Sequence, residues 1–483
     1  MWQREFVFDV YANLNDDGSR KTRRAILSMA RKNGKTALIA ALVLVHLIGP
    51  EAHINEDIVS AANDREQAAM VFKYVVQIIA QSPFLSRHLK IIESKKRITY
   101  PGCGNVYGAL SAEAGTKHGM NPAVVIYDEL AQSKNQDLFD ALDTAQGAQH
   151  EPLFFTISTQ SNDPQHPLSQ MIDDALDGDD PEIVCHLYEV PEEVEDIFDE
   201  ESWYGANPAL ADFRSLAELR AYARRAKRLP SLENVMRNLY LNQRVTLDAT
   251  LFPRSVWMSC RGEVGFADGE EVYLALDLAN TTDLAALAVL SNTTGAMRVH
   301  FWKPEDLLEE HGKRDRRDYL TWYQSGLMET CPGKTIDPDL IAAKIAEIHK
   351  TYRIKGLAYD RWRIDTVIKA MARQGIEADA DNSAQIELFP WGQGFRDMSP
   401  AIDAFEADVI EGKITHDNHP VLTWNVSNAI VTQDPAGNRK LDKAKSRMRI
   451  DGAVAAAMAV GLRARHREED RDSVYRTQGL LTV

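Results

Sequence analysis

Between Arg23 and Val45 the chain reads RRAILSMARKNGKTALIAALVLV: an apolar run, a short basic loop, then an unbroken apolar helix pattern. A strand that feeds a helix through a loop ending Gly34–Lys35–Thr36 constrains the fold more than any other feature. It aims successive backbone N–H groups and a helix N-terminus at one spot, which makes an anion cradle. In such a cradle Lys35 reaches the β- and γ-phosphates of a nucleotide, and the Thr36 hydroxyl ligates Mg2+. The usual spacing places a glycine where Met29 stands. That glycine mainly permits a tight turn, and here the turn is expected at Asn33–Gly34. Arg31 and Lys32 add positive charge near the phosphates.

A bare G-K-T also arises by chance, so the rest of the chain must supply the partner motif. PAVVIYDEL does so, as an apolar strand ending in Asp128–Glu129. Asp128 is placed to hold Mg2+, and Glu129 to orient or activate the attacking water. The plain alternative is a core strand that ends in exposed acids. Both motifs in this order, among alternating strand and helix signals, predict an α/β P-loop NTPase with a mainly parallel sheet flanked by helices. Further strands are expected in EDIVSAAN and PLFFTISTQ, a helix in NDREQAAMVFKYVVQIIAQS, and a hairpin in KRITYPGCGNVYGAL.

An acidic stretch, EVPEEVEDIFDEESW, then leads into SLAELRAYARRAKRL, whose Ser215 and Glu218 form a capping-box signal. Pro230 interrupts the helical pattern before SLENVMRNLYLNQ, and VTLDATLFPRS reads as a linker. This strand-free segment is expected to be a small helical lid.

Three consecutive strands, EVYLALDLAN, DLAALAVLSN and AMRVHFWKP, open a second α/β domain. Asp277 lies inside the first of them with apolar neighbours on both sides, where an unpaired charge is costly. Asp360 ends the later strand KGLAYD, and Asp451 opens the closing helix RIDGAVAAA. A ribonuclease-H-like fold can gather these three acids, with Asp283 as a fourth. Clustered carboxylates sharing Mg2+ or Mn2+ cut phosphodiesters. Taken singly, Asp360 could end a strand and Asp451 could cap a helix.

The 483 residues exceed one ordinary core and imply two domains. A net charge of -16 excludes a blanket nucleic-acid coat but not a local basic groove. Such grooves could be built from KRDRRD, from RRAKR or from the hairpin run NRKLDKAKSRMR, which contains Lys443, Lys445 and Arg447 and is favoured because it precedes Asp451. The plain alternative for each is a solvated face. Four scattered cysteines suit a reducing compartment, and no apolar run reaches the ~20 residues of a membrane helix.

Taken together, WQREF, ARKNGKTAL, GTKHGMNPAVVIYDEL, TISTQ, LALDLANTTDLAAL, AYDRWR and SRMRIDGAVAAAMA resemble the large terminase subunits of tailed bacteriophages, near the HK97-like group. The pieces run in the family's order over nearly the whole chain. In that family the phosphate loop commonly lacks its first glycine and carries a basic residue. The resemblance implies an ATP-driven packaging motor (1–190), a helical lid and linker (191–250), a ribonuclease-H-like endonuclease (251–466) and a disordered tail (467–483). It implies ATP and Mg2+ at Lys35, Thr36 and Asp128, with Glu129 as catalytic base. Mg2+ or Mn2+ is implied at Asp277, Asp360 and Asp451.

By the same resemblance Ser158 and Thr159 belong to a coupling motif, Trp2 and Gln3 to an adenine-contacting segment, and Lys443 lies beside the scissile DNA. Family members usually carry a further stretch ahead of the WQ segment, and here the chain starts almost at it. Lys117 or Arg31 is the available substitute for an arginine finger. The implied partners are double-stranded viral DNA, the portal protein, the small terminase subunit and further copies in a ring, with a monomer in isolation, all in the host bacterial cytoplasm. The competing readings are an ATP-dependent helicase–nuclease of repair or defence, and an inactive prophage remnant that acts only in assembly.

Overall fold

The computed structural model describes residues 2–478 apart from 63–64, 112–120, 134–135, 164, 193, 195, 246–249, 279–283, 316, 361–363, 380–383 and 447. The chain forms two compact units, Met1–Leu247 and Asp248–Val483.

The first unit is built on strands β1 (Arg24–Ser28), β2 (Asp57–Ala62), β3 (Lys90–Ile92), β4 (Arg97–Tyr100), β5 (Asn105–Ser111), β6 (Val124–Asp128), β7 (Leu153–Ser158) and β8 (Ile183–Leu187). They align in the order β3-β4-β5-β2-β6-β7-β1-β8. From β5 to β8 every pairing is parallel, and the antiparallel β3 and β4 extend one edge. The central strands are buried on both faces, as their unbroken apolar runs require. β7 lies between β1 and β6, so the strand bearing Asp128 does not touch the strand that feeds the phosphate loop.

β8 was not among the expected strands. Its run IVCHL is half-buried at the sheet edge and follows an acidic, proline-containing turn, which hides it in the sequence. Residues 203–241 fold over Ala30 with a small core of their own that includes Trp203, Leu210, Leu219, Ala223, Met236 and Leu241. The helix Leu216–Arg228 starts as the sequence indicates, with Ser215 Oγ accepting from Glu218 N at 3.2 Å.

The second unit carries β9 (Glu271–Leu278), β10 (Ala285–Ser291), β11 (Ala296–Pro304), β12 (Glu329–Cys331), β13 (Arg353–Asp360), β14 (Ala378–Asp379), β15 (Ile386–Trp391) and β16 (Thr415–His416). The main order is β12-β11-β10-β9-β13-β15-β14, with β16 beside β11. β9, β10 and β11 form an antiparallel meander, and β13 and β15 add in parallel, the arrangement of a ribonuclease-H-like sheet. A separate hairpin, β17 (Val431–Gln433) with β18 (Arg439–Leu441), forms where the turn signal PAGN predicts it.

The closing helix, Asp451–Gln478, continues beyond the apolar stretch expected to end near residue 466. The polar RHREEDRDS has neither glycine nor proline and consists largely of adequate helix formers. Its first turns are rich in alanine and glycine, which lets the backbone lie close against its neighbours. A Cβ on Gly461 would stand 2.6 Å from Ala401 Cβ and 2.8 Å from the Trp391 ring. Gly461→Val is therefore expected to destabilise the second unit by about 1–3 kcal/mol, as overpacking does. Thermal unfolding should show a lowered transition, and an unchanged one would contradict the close approach.

Candidate active sites

In the first unit the phosphate loop leaves β1 as Met29 continues the strand, its N–H donating to Ser158 O at 3.2 Å. Met29 is fully buried in the core, which explains why this position tolerates a large side chain in place of glycine. The left-handed residues of the reversal are Lys32 (φ 67°) and Gly34 (φ 85°), so of the expected Asn33–Gly34 turn Gly34 takes part, and Lys32 joins it in place of Asn33. Asn33 instead fastens the loop to the helical segment. Its Nδ2 donates to Ala30 O (3.1 Å) and Asn207 Oδ1 (3.0 Å), and its Oδ1 accepts from Ala209 N (3.2 Å). Lys32, expected near the phosphates, is paired with Glu218 at 2.9 Å.

Lys35 is buried at the head of the helix Lys35–Leu47, and its Nζ donates to Met29 O (2.6 Å) and Ala30 O (3.2 Å). Burial lowers its pKa, opposed by the Glu129 and Asp128 charges. Thr36 follows it on the first turn, half-buried. Asp128 ends β6 almost fully buried, and burial together with the adjacent Glu129 pushes its carboxyl up to about 7 despite Lys35. Glu129 is held in the left-handed region at φ 55°, a strained conformation for a non-glycine residue and one typical of functional positions. Its N–H donates to Ile157 O at 2.8 Å, while the buried Oε2 has no hydrogen-bond partner among the described residues. A buried lysine, a buried acid beside a half-buried one, and an unsatisfied carboxylate oxygen suit a phosphate, a divalent cation and a water.

Ser158 lies between these elements. Its Oγ accepts from Ala131 N at 3.0 Å, just past Glu129, and its carbonyl accepts from Met29. Thr159 is equally buried. The next residue, Gln160, was missed by the sequence reading and is the more connected. Its N–H donates to Asn242 Oδ1 (2.8 Å), its Oε1 accepts from Arg244 (2.5 Å), and its amide also donates to Glu189. Asn242 in turn donates to Ser28 Oγ (3.1 Å) and Tyr188 O (2.9 Å), joining the ends of β1, β7 and β8. Arg214 was missed as well. It donates to Arg31 O at 2.5 Å and to Asn207, stacks over Tyr240, and is pushed down to about 10 by burial. Asn242, Gln243 and Arg244 fall in one polar run, the sequence signal available for this network.

Arg31 itself is half-buried, near enough for its charge to lower the Lys35 pKa. Trp2 is a core residue packed edge-on to Tyr188, and Gln3 is half-buried beside it on the helix Trp2–Tyr11. Lys117 lies outside the described residues.

In the second unit Asp277 is completely buried in β9, between β10 and β13. The register that pairs Leu276 with Tyr359 brings Asp360 alongside it. Asp451, 3% exposed, opens the closing helix. Burial, joined by the charges of Asp451 and Asp360, raises the Asp277 pKa to about 6 against the pull of Lys443. Lys443 Nζ donates to Asp277 Oδ2 (2.8 Å) and Asp451 Oδ1 (3.1 Å), and the two carboxylates keep it charged against burial. Gln393, not expected from the sequence, donates to the other oxygen, Asp277 Oδ1, at 3.1 Å.

Among the described residues no three acidic, histidine or cysteine side chains stand close enough to form a ready metal cage. The donor set nevertheless fits a divalent ion, since a fully buried carboxylate and a nearly buried one already share a cation. Asp283 and Arg447 lie outside the described residues. Lys445 is exposed, and Arg439 of the hairpin run is committed to Asp403 and Glu406. In KRDRRD, Arg314 is committed to Asp315.

Comparison with known proteins gives two domains in the same order, with the family boundary earlier in the chain than the boundary between the two compact units. Residues 1–177 match the family model "Terminase large subunit, ATPase domain", and 179–468 match "Terminase large subunit, endonuclease domain". The chain is 44% identical over 465 residues to the "Terminase, large subunit" of Enterobacteria phage HK97, covering 95% of this chain and 89% of that one. It is 24% identical over 377 residues to "Protein YmfN" of Escherichia coli strain K12, covering 73% of this chain and 80% of that one. The crystal structure of the HK97 large terminase aligns with a TM-score of 0.48 at 44% identity, over 95% of this chain and 94% of that one. No helix among the described residues is long and apolar enough to cross a membrane.

The start of the closing helix is fixed by Arg449, which donates to the buried Asp315 at 3.1 Å; Tyr319 Oη donates to the same carboxylate at 2.8 Å. Burial alone would raise the Asp315 pKa, but Arg314, Arg449 and Tyr319 bring it down to about 2. A depressed acid contributes stability above its unfolded pKa and loses it as pH falls through the folded value. Asp315→Asn is thus expected to cost on the order of 2 kcal/mol above about pH 5. The difference from the unsubstituted protein should shrink between about pH 4 and 2 in denaturant unfolding. A difference that does not vary with pH would contradict the assignment.

Proposed function

Because this chain belongs to the terminase large-subunit family, we propose how its own residues carry out that family's two reactions. The protein is a large terminase subunit, an ATP-driven motor for viral DNA packaging that also cleaves concatemeric DNA as an endonuclease. It uses a nucleotide and divalent metal. What supports the residue assignments is one recurring observation: each unit gathers acids from strand and helix ends within electrostatic reach of a single lysine.

In the motor, the residues of the loop 31–36 hold the phosphates of ATP. Lys35 leaves the Met29 and Ala30 carbonyls for the β/γ-phosphates, a more favourable partner for a buried ammonium. Thr36 and Asp128 hold Mg2+. Glu129, with its unpartnered oxygen already in place, orients the attacking water and accepts its proton. Ser158 and Thr159, with Gln160 behind them, connect that water-bearing loop to the phosphate loop, and residues 191–250 act as the lid. Gln3 lies on the helix assigned to the adenine side.

In the nuclease, Asp277, Asp360 and Asp451 would hold Mg2+ or Mn2+, and the metal would supply activation of water and neutralisation of charge on the phosphodiester. Gln393 fixes the rotamer of Asp277 through its Oδ1. Lys443 and Lys445 contact the DNA backbone, with Arg447 of the same basic run assigned to DNA by sequence alone, so binding should weaken with salt. The setting is the host bacterial cytoplasm, with the portal, the small subunit and a ring of copies as partners and a monomer in isolation.

Two measurements test this account. Glu129→Gln should lower ATP turnover by at least about a hundredfold while leaving nucleotide affinity near normal, because it removes the base without removing phosphate contacts. Turnover within a few fold of the parent would displace Glu129 from that role. Separately, supercoiled plasmid incubated with Mn2+ or Mg2+ should be cut by the parent protein and not by Asp277→Ala. Equal cutting by both would mean that Asp277 is not a nuclease acid.

A further inference from the structure

The Lys443 ammonium lies on the inner oxygens of two carboxylates that the nuclease reading assigns to metal. It is 2.8 Å from Asp277 Oδ2 and 3.1 Å from Asp451 Oδ1. Asp277 has no solvent to fall back on, because its side chain is wholly buried inside the sheet and its other oxygen is taken by Gln393. An ionised carboxylate in that position needs a counter-cation at all times. Lys443 itself is 37% exposed, so it can leave toward solvent without opening the core.

The lysine is placed there by a separate piece of structure. It opens the short helix Lys443–Ser446 directly after β18. The base of the hairpin is closed by Asp442 N donating to Ile430 O (2.9 Å) and Ile430 N donating to Ser446 Oγ (3.1 Å). Higher up, Arg439 is paired with Asp403 and Glu406, and Lys440 lies over the Phe395 ring, all on the helix Phe395–Ile410. That helix begins two residues after Gln393. The hairpin docking and the Asp277 contacts therefore form one closed circuit.

A divalent ion bound to the same two oxygens cannot share them with an ammonium at hydrogen-bond distance, because the two positive charges would stand side by side in a buried site. We propose that Lys443 is a place-holding cation: it neutralises Asp277 and Asp451 while no metal is bound and must be displaced for metal to load. The proposal rests on the reading of Asp277 and Asp451 as the nuclease acids. It gives Lys443 a role in setting metal affinity, apart from contact with DNA.

The test is isothermal titration of the full-length, nucleotide-free protein with Mn2+ alone, alongside thermal unfolding of the metal-free and Mn2+-saturated protein. Lys443→Met removes the competitor, and Lys443→Gln keeps a neutral donor for the carboxylates should the methionine variant fold poorly. Asp277→Asn identifies the heat and thermal shift that belong to this site. Each Lys443 variant should melt lower without metal, yet show half-saturation at about tenfold less Mn2+, equivalent to about 1.4 kcal/mol. Its metal-induced rise in Tm should be correspondingly larger. Unchanged or weakened Mn2+ binding in both variants, with the Asp277-dependent signal intact in the parent, would overturn the proposal and leave the nuclease acids standing. Loss of DNA affinity with no change in Mn2+ binding would do the same, leaving Lys443 a DNA contact only. Mn2+ binding that is indifferent to Asp277→Asn would remove the underlying reading and the proposal with it.

Discussion

A charge buried in a protein must be met by an opposite charge or by a full set of hydrogen bonds, and both halves of this molecule are organised around that requirement. In the first unit the buried charges are Lys35 and Asp128, with Glu129 half-buried beside them, brought together from the ends of β1 and β6 across the intervening β7. In the second they are Asp277 and Asp451, met by Lys443. The parallel order of the first sheet puts the relevant strand ends on one edge, where the loops that follow them converge. The meander-plus-parallel order of the second sheet sets Asp360 against Asp277. The topology thus matters chiefly because it decides which charges become neighbours.

The phosphate loop depends on more than its own sequence. Asn33 and the Arg31 carbonyl are held by Asn207, Ala209 and Arg214, from a segment about 180 residues further on. Asn242, Gln160 and Arg244 tie that segment to the ends of three strands and, through Asp173, to the helix Pro167–Asp177. Low-dielectric amide networks of this kind are rigid when every member is satisfied, and most of these groups have partners at 2.5–3.2 Å. The lid segment is consequently part of the nucleotide site's framework and not an appendage resting on it.

Much of this was legible in the sequence wherever a residue type conflicted with its surroundings. Asp277 inside an apolar strand, the acid pair closing VVIYDEL and the G-K-T after a strand all break a local pattern, and each break marks a charge that the fold gathers at a candidate site. Contacts between distant residues leave no such mark. Lys443 reads as one member of a basic run, and its bond to Asp277 spans 166 positions. Gln160, Asn207, Asn242 and Gln393 are amides whose partners lie on other elements, and amides have no periodicity to give them away. Lys32 was placed with the phosphates because it is basic and near the loop. The left-handed backbone that turns it toward Glu218 is unusual for lysine, and nothing in its neighbours announces it.

The two lysines differ in a way that bears on how the sites respond to ligand. Lys35 rests on backbone carbonyls, which are neutral, so Asp128 and Glu129 feel its charge only at a distance and Asp128 remains hard to ionise. Supplying a metal–phosphate unit satisfies the lysine and the acids together, and neither has to give up a charged partner. Lys443 rests directly on the acids, so any ion arriving there must break an existing pair before it can form a new one. On the assignments proposed above, the motor site takes up its ligand without giving up a charged partner, and the nuclease site must first release Lys443.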